Sequence, residues 1–206
     1  MKTSLVLLLS FIAPVAATAQ GWAGLPFGTS ATHVRDVLSR QPPVCNVSAN
    51  GDDSDCTGLV MEALPGDSGD YTVKPQLELW LSSLNAPLHF RTLLHFFNAD
   101  RQLARVELML DTDKYKAEGR QGSDLVDLAG EPVLGELLGK YGIPLVMSAA
   151  CEPAEARRLL RTHADVIDCN VLWKNQNQTV NLAWKYLAGT RAYSLVVRYA
   201  VLQGGL

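Results

Sequence analysis

The spacing of apolar side chains along this chain predicts three helices separated by groups of strands. A 3.6-residue spacing, typical of amphipathic helices, occurs in three ranges: 30–40, 125–141 and 153–161. Ser30 is a good N-cap for the first helix, Gly142 is placed to stop the second, and Pro153 suits the first turn of the third. We expect the main part of the second helix to begin near Pro132.

A two-residue alternation, typical of strands with one buried face, begins at Gln76 and returns near the end of the chain. The clearest case is a hairpin in which two sets of even-numbered apolar residues share a face: Phe90, Leu94 and Phe96, then Ala104, Val106, Leu108 and Leu110. Matching the two sets predicts that Phe96 faces Ala104 across an odd-length turn at 99–101. Three further strands are predicted over the ranges 169–174, 178–187 and 193–202.

The order of these elements, helix then strands and again helix then strands, predicts an α+β fold. Tight turns join most neighbouring strands, and such turns connect antiparallel partners. We therefore expect an antiparallel sheet with the helices packed on one face. The two helix-plus-meander units are candidates for a tandem repeat, with sub-units at 20–115 and 120–206 inside one domain spanning 20–206.

The beginning of the chain has the features of a cleaved secretory signal peptide. Lys2 supplies a positive start, an apolar run extends from Leu5 to Ala13, and Ala17-Thr18-Ala19 offers the small residues of a cleavage site. The run has roughly 9 residues, whereas a bilayer-spanning helix needs about 20. The sequence thus predicts a signal peptide at 1–19, a periplasmic or secreted protein, and no membrane span in the mature chain.

The four cysteines form two local pairs in the sequence, Cys45 with Cys56 and Cys151 with Cys169. Four cysteines permit three connectivities, and we favour the two local disulfides because each closes a segment that could not pack alone. In the chain-entropy description each would stabilise the fold by about 3 kcal/mol. A redox or metal site is the alternative, but the sequence has no Cys-x-x-Cys motif and no histidine at zinc-ligand spacing from a cysteine. We therefore predict no metal site.

Composition excludes some partners and some kinds of chemistry. The 206 residues are 48% hydrophobic and 19% charged, which allows a sizeable core. A formal net charge of −3 without Lys/Arg clusters argues against nucleic acid, because sustained phosphate contacts need a basic surface. Phosphate-loop, dinucleotide and nucleophile-elbow motifs are missing, so we predict no cofactor. The acidic loop at 50–55 lacks the spacing of a calcium loop, which favours a solvated loop.

The second face of the predicted hairpin collects polar residues that could form a binding site. Alternate residues of a strand project to the same side, which groups five candidates: His89, Arg91, His95, Arg105 and Glu107. Such a face could bind an anionic group or supply acid–base chemistry through histidine, whereas the simpler interpretation is a solvated strand face. An exposed Trp22 or Trp80 nearby would favour binding, while Trp173 and Trp184 are expected in the core.

Two short segments resemble parts of known families. Phe27-Gly28-Thr29-Ser30, followed by Val34 and Leu38, resembles the segment that starts a helix in the small SmpA/OmlA outer-membrane proteins and in relatives with the β-lactamase-inhibitor-protein fold. The resemblance implies a capped helix lying across an antiparallel sheet in a domain that binds other proteins. The end of the second helix, Leu138 to Pro144, resembles that of exported bacterial proteins of similar plan. The chain differs from SmpA/OmlA in its greater length and in lacking their lipid-anchoring Cys.

Two hypotheses of function follow from these features. The first is an exported, disulfide-stabilised binding or envelope-associated protein without evident catalytic activity, whose partner is a protein or a small envelope ligand. The alternative is a small secreted hydrolase whose site is assembled from distant polar residues. The alternative requires that His33 or His163 meet a carboxylate and a Ser in one concave site.

Overall fold

The computed structural model describes most of the chain after the predicted leader. The described residues are 21–22, 25–40, 44–45, 56–57, 59–65, 69–79, 84, 86–97, 101–175 and 177–202. The predicted signal peptide at 1–19, the acidic loop at 50–55 and the side chains of Trp22 and Trp80 lie outside the described part. None of the helices in these ranges has both the length and the apolar character that crossing a bilayer demands.

Four α-helices occur in the described residues, and three of them match the sequence pattern. They are α1 (Ala31–Ser39), α2 (Thr112–Ala117), α3 (Glu131–Tyr141) and α4 (Pro153–Arg161). The Ser30 side chain caps α1 by accepting a hydrogen bond from the N–H of His33. Pro132 lies in the first turn of α3, and Gly142 ends that helix with a φ of 71°, which favours glycine. The pattern missed α2, because six residues are too few to show a helical period.

The strands of the described residues form one large sheet and two small ones. They are β1 (Gly21–Trp22), β2 (Leu25–Pro26), β3 (Val44–Cys45), β4 (Cys56–Thr57), β5 (Val60–Ala63), β6 (Tyr71–Leu79), β7 (Leu88–Phe97), β8 (Gln102–Leu110), β9 (Val146–Met147), β10 (Val166–Lys174), β11 (Gln178–Leu187) and β12 (Ala192–Val201). The large sheet has eight antiparallel strands in the order β5-β6-β7-β8-β12-β11-β10-β9. This confirms the predicted α+β class.

The large sheet consists of two four-stranded meanders that meet in its middle. The first meander, β5 to β8, follows α1 in the chain. The second, β9 to β12, follows α3, and α4 is inserted between its first two strands. Each runs from an edge of the sheet to its centre, where β8 pairs with β12. The tandem repeat itself stays a prediction, although both halves have this strand order.

One face of the large sheet is buried beneath the helices. Val34 and Leu38 of α1, together with Val133 of α3, join the core of apolar strand residues, which includes the predicted Trp173 and Trp184. We call the opposite side of the sheet the open face. It comprises the odd-numbered residues from His89 to His95 in β7 and from Arg105 to Met109 in β8, with the residues paired to them in β12, β11 and β10.

The predicted hairpin is present, but its register changes near the turn. Leu94 faces Val106, in agreement with the pattern, whereas Phe96 faces Leu103 rather than the predicted Ala104. The shift between His95 and Phe96 arises because the backbone of Leu103 is held by a second partner. Its N–H donates to Thr29 O at 2.8 Å, and its carbonyl accepts from the Gly28 N–H at 2.8 Å. The resulting bulge allows both Leu103 and Ala104 to be buried.

Two other strand predictions need correction. Strand β6 begins at Tyr71, five residues before Gln76, where the alternation predicts its start, because an irregularity between Val73 and Leu77 interrupts the period. The short strand β9 was not predicted at all. Its two residues pair with Val171 and Leu172 of β10, a contact between distant segments that no local pattern reveals.

The disulfide between Cys151 and Cys169 confirms one of the two predicted pairs. It joins a short 3-10 helix before α4, Ala149–Cys151, to the middle of β10, and both residues are buried. For the other pair, Cys45 and Cys56 are direct partners in the small sheet formed by β3 and β4. Their side chains lie outside the described part, so this disulfide stays a prediction.

A pair of glycine substitutions would test how closely the chain packs before α3. At Gly122 an added Cβ would overlap the carbonyl oxygen of Arg191, a backbone atom that cannot swing aside. Gly122→Ala should therefore lower the free energy of unfolding by about 1–2 kcal/mol in urea titrations. The matched control is Gly135→Ala within α3, where a Cβ meets nothing within 4 Å. This control should raise stability by up to about 1 kcal/mol, and an equal loss in both variants would contradict the close approach at Gly122.

Candidate functional site

All five residues that the sequence singled out lie on the open face. His89, Arg91 and His95 belong to β7, whereas Arg105 and Glu107 belong to β8. Neighbouring strands bring some of them directly opposite each other, such as His95 and Arg105. The structure nevertheless divides the five into two groups, one near the middle of the face and one at its end beside α2.

The first group surrounds the carboxylate of Glu107, and we call it the Glu107 cluster. It consists of Asp70, His95, Arg105, Glu107 and Arg198. The Nε of Arg198 donates a hydrogen bond of 2.7 Å to Glu107 Oε1, and the Nε of Arg105 lies 3.2 Å from the same oxygen. Because the Glu107 side chain is only 12% exposed, the two guanidinium groups compensate a charge that water reaches poorly.

His95 has two competing partners at its Nδ1 atom. Arg105 Nη2 lies 3.3 Å from Nδ1, and Asp70 Oδ2 lies 3.1 Å from it. A guanidinium group only donates and a carboxylate only accepts, so one Nδ1 cannot satisfy both at once. The contact with Arg105 requires an unprotonated Nδ1, and the hydrogen bond to Asp70 requires a protonated one. Only one of these two contacts can therefore be a hydrogen bond in a given tautomer of the ring.

A surface cavity adjoins the Glu107 cluster. It has a volume of about 290 Å³, and its lining includes Asp70, His95, Arg105 and Ala200. His95 Nε2 is buried, has no hydrogen-bond partner and lies 3.9 Å from Glu107 Oε1. Chemically, this arrangement can hold a polar group of a partner at a position set by fixed charges.

The second group ties the end of β7 to α2. Arg91 Nη2 donates to Asp111 Oδ1 and to Asp113 Oδ2, each at 3.1 Å. The hydrogen bond and charge of Asp111 raise the pKa of Arg91 from its ordinary value. Lys114 Nζ lies 2.7 Å from His89 Nε2, and since an ammonium group can only donate, this nitrogen accepts the hydrogen bond. Both predicted residues are thus held in place by the start of α2.

Asp111 and Tyr115 form the buried part of the second group. Burial alone would raise the pKa of Asp111, but hydrogen bonds from Gln76 and Arg91 and the charge of Arg91 outweigh it and leave the pKa lowered. Burial raises the pKa of the Tyr115 phenol, whose oxygen accepts a hydrogen bond from the N–H of His89. These contacts fix the position of α2 against the sheet.

Apolar side chains separate the charged residues on the open face. Across the central strands Met109 faces Val196, which in turn faces Ala183. One step further along the sheet, Leu93 is the partner of Glu107. Met109 is 36% exposed. The open face therefore combines apolar and charged side chains, and its role as a binding face stays a prediction.

Sequence reasoning missed several members of these two groups. Arg198 occupies an alternate position between the buried Val197 and Tyr199, so its orientation toward the open face could have been read from the strand period. Its contact with Glu107 depends on the pairing of β8 with β12, which joins residues far apart in the chain. The role of Asp111 as the N-cap of α2 could also have been predicted, because Asp is a preferred N-cap residue.

The structure does not assemble the site that the hydrolase alternative requires within the described residues. His33 lies exposed on α1, and His163 lies exposed in the turn after α4 with a φ of 53°. No side-chain contact joins either histidine to a carboxylate or a serine in this part of the chain. The same described ranges contain no cluster of three or more His, Cys, Asp or Glu residues suited to a metal ion.

The fold defines an antiparallel α+β protein whose central sheet leaves one face free of α1, α3 and α4. Comparison of the chain with protein-family models, with curated proteins and with solved structures finds no match.

Proposed function

We propose that this protein is an exported, disulfide-stabilised binding protein of the cell envelope, without evident catalytic activity, that holds a partner protein on its open face. The observation that carries the proposal is the Glu107 cluster lying beside the exposed side chain of Met109 and the half-buried side chain of Val196. Protein interfaces combine apolar contacts with positioned charges, and they are enriched in methionine and arginine. A partner that buried Met109 could also meet Arg105 or Arg198.

The fixed geometry of the charged residues supports a role in recognition. Arg91 is held between Asp111 and Asp113, while Arg198 is held by Glu107. A side chain that is already ordered loses less conformational entropy when a partner binds. The open face is therefore organised before binding, which favours a defined complementary surface over a loose electrostatic attraction.

Export is supported by two features of different kinds. Residues 1–19 have the composition of a signal peptide, and the disulfide between Cys151 and Cys169 is typical of proteins that work in oxidising compartments. A protein of the periplasm or the extracellular space meets both conditions. Its partner would be a protein or another envelope component in the same compartment.

The resemblance to SmpA/OmlA proteins and to the β-lactamase-inhibitor-protein fold points in the same direction. The segment that carries it forms the start of α1, where Ser30 caps the helix. Protein binding is the property that this resemblance implies. The hydrolase alternative has no supporting contact in the described residues, since His33 and His163 lack catalytic partners there.

Site-specific photo-crosslinking would test the proposal in the cell that makes the protein. A photoreactive amino acid at Met109 should yield a discrete crosslinked product with an envelope protein, because this side chain lies in the exposed part of the open face. The substitution Val196→Glu beside it should reduce the yield about tenfold by placing an unpaired charge in the interface.

The matched control places the same photoreactive group at Arg161, an exposed residue of α4 on the opposite side of the sheet. It should not give the Met109 product. Absence of a product at Met109, or an identical product at both positions, would contradict binding through the open face.

A further inference from the structure

The edge of the sheet at β9 exposes an unusual run of apolar side chains. Ile143 is 96% exposed, Leu145 is 66% exposed and Met147 is 39% exposed. Large apolar residues gathered at one exposed position are uncommon unless another molecule covers them. These residues lie next to a cavity of about 330 Å³, within the size range of ligand pockets.

The wall of this cavity is rigid and aromatic. Tyr141 and Trp173 lie with ring centroids 6.3 Å apart, and the Trp173 indole donates a 2.9 Å hydrogen bond to Gly142 O. This hydrogen bond ties β10 to the end of α3 and sets the orientation of the indole. The cavity therefore has a fixed shape suited to a flat or branched apolar group.

Gln178 contributes a buried polar group to the wall of the cavity. This residue lines the cavity and is only 2% exposed, yet its side-chain Oε1 has no hydrogen-bond partner. A buried polar atom without a partner costs free energy. A hydrogen-bond donor on a bound molecule would remove this cost.

The backbone of β9 is suited to pairing with an added strand. In the described residues β9 has a neighbour on one side only, which is β10. The N–H of Ser148 donates to Asn170 O, so Met147 and Val171 form the non-hydrogen-bonded pair next to it. The N–H and carbonyl of Met147 accordingly point away from β10, toward the free edge.

Charge favours an acidic occupant. Lys174 lines the cavity, and Lys140 Nζ lies 5.3 Å from the centroid of the Tyr141 ring. Among the described residues that line the cavity there is no carboxylate. A ligand with a negative group would meet two cations at this end of the sheet.

We propose that β9 and the adjoining cavity form a second binding site, which accepts an extended acidic peptide segment of a partner protein. The segment adds as a strand along β9 through the backbone of Met147 and inserts one large apolar side chain between Ile143 and Trp173. An acidic residue of the segment lies near Lys174. Strand addition of this kind obtains affinity from main-chain hydrogen bonds and specificity from side-chain pockets.

This site is separate from the Glu107 cluster, although Lys174, the cross-strand partner of Thr179, lies at an open-face position of β10. Trp173 and Gln178 project to the helix-covered side of the sheet, whereas the Glu107 cluster lies on the other side. The proposal therefore does not depend on the proposed function.

The test uses a displayed library of random heptapeptides selected on the full oxidised protein. Enriched sequences should alternate apolar residues, include a Phe, Leu or Trp, and carry Asp or Glu. A synthetic copy of the enriched peptide, labelled with a fluorophore, should lose affinity about tenfold on Met147→Pro and on Lys174→Glu. Proline removes the free N–H at the edge, and glutamate reverses the charge beside the cavity.

Two matched variants separate binding from folding. Met147→Ala retains the backbone donor and should bind the peptide nearly as tightly as the wild type. Lys185→Glu makes the same charge change at an exposed position of β11 on the open face and should leave affinity unchanged. Failure to enrich such peptides, or equal binding by Met147→Pro and wild type, would overturn the proposal.

Discussion

Removal of the Cys151–Cys169 disulfide should lower the free energy of unfolding by about 3 kcal/mol, the value that chain entropy gives for a loop of this size. The bond closes a loop with a sequence separation of 18, which holds the 3-10 helix and α4 against β10. Cys169 is fully buried and Cys151 is 2% exposed. Without the bond, the docking of α4 would depend mainly on Ala156 and the half-buried Leu159 and Leu160.

The double variant Cys151→Ala/Cys169→Ala, compared with the wild type in urea titrations, measures this effect. The wild type should be titrated with and without reductant, because the reduced protein lacks the bond but keeps both sulfur atoms. Because reductant would also open the predicted Cys45–Cys56 bond, the double variant is titrated in reductant as well, and the difference between the two reduced proteins gives the cost of lost packing alone. A loss below about 1 kcal/mol in both comparisons would contradict a stabilising role for the disulfide.

The parts of the fold that local patterns could predict are those whose signals lie within a few residues. Ser30 and Gly142 identified helix ends because caps act over one turn. The alternation of Val180, Leu182 and Trp184 identified β11 because successive side chains of a strand point to opposite faces, so that the apolar residues mark the buried face. These predictions needed no knowledge of which segments are neighbours in space.

The remaining features depend on contacts between distant segments. The bulge at Phe96 exists because the segment before α1 holds the backbone of Leu103, and β9 exists because its residues meet β10. Neither contact has a local sequence signal. The order of the sheet, with β8 beside β12, likewise follows from the whole packing arrangement.

The candidate site shows the same division between local and distant information. Strand periodicity placed His95 and Glu107 on one face, but the partner that organises them, Arg198, comes from the last strand. His89 and Arg91 share that face with His95, yet α2 binds them into a separate group. Sequence therefore identified the surface, and the pairing of distant strands determined how its charges are grouped.

Replacement of Asp111 by alanine should lower the free energy of unfolding by about 2 kcal/mol at neutral pH, combining a lost helix cap with a lost charged hydrogen bond. The Asp111 side chain is 9% exposed and caps α2 by accepting a 3.2 Å hydrogen bond from the Asp113 N–H. It also accepts hydrogen bonds from Arg91 and Gln76. Its loss would release α2, and with it the contact of Lys114 with His89 on the open face.

The pH dependence of this effect follows from the lowered pKa of Asp111. In the folded protein the pKa of Asp111 is below its ordinary value of 3.8. The charged carboxylate therefore stabilises the fold fully at pH values above the ordinary, unfolded-state pKa. The stabilisation is lost as the pH falls through the folded-state pKa. Urea titrations should thus show the wild type and Asp111→Ala converging in stability at low pH. Asp113→Ala is the control: because Asp113 is an exposed partner of Arg91, its replacement should lower the free energy of unfolding by less than about 0.5 kcal/mol. If the stability difference between wild type and Asp111→Ala stayed constant down to about pH 2, the charge of the Asp111 carboxylate would not be its cause.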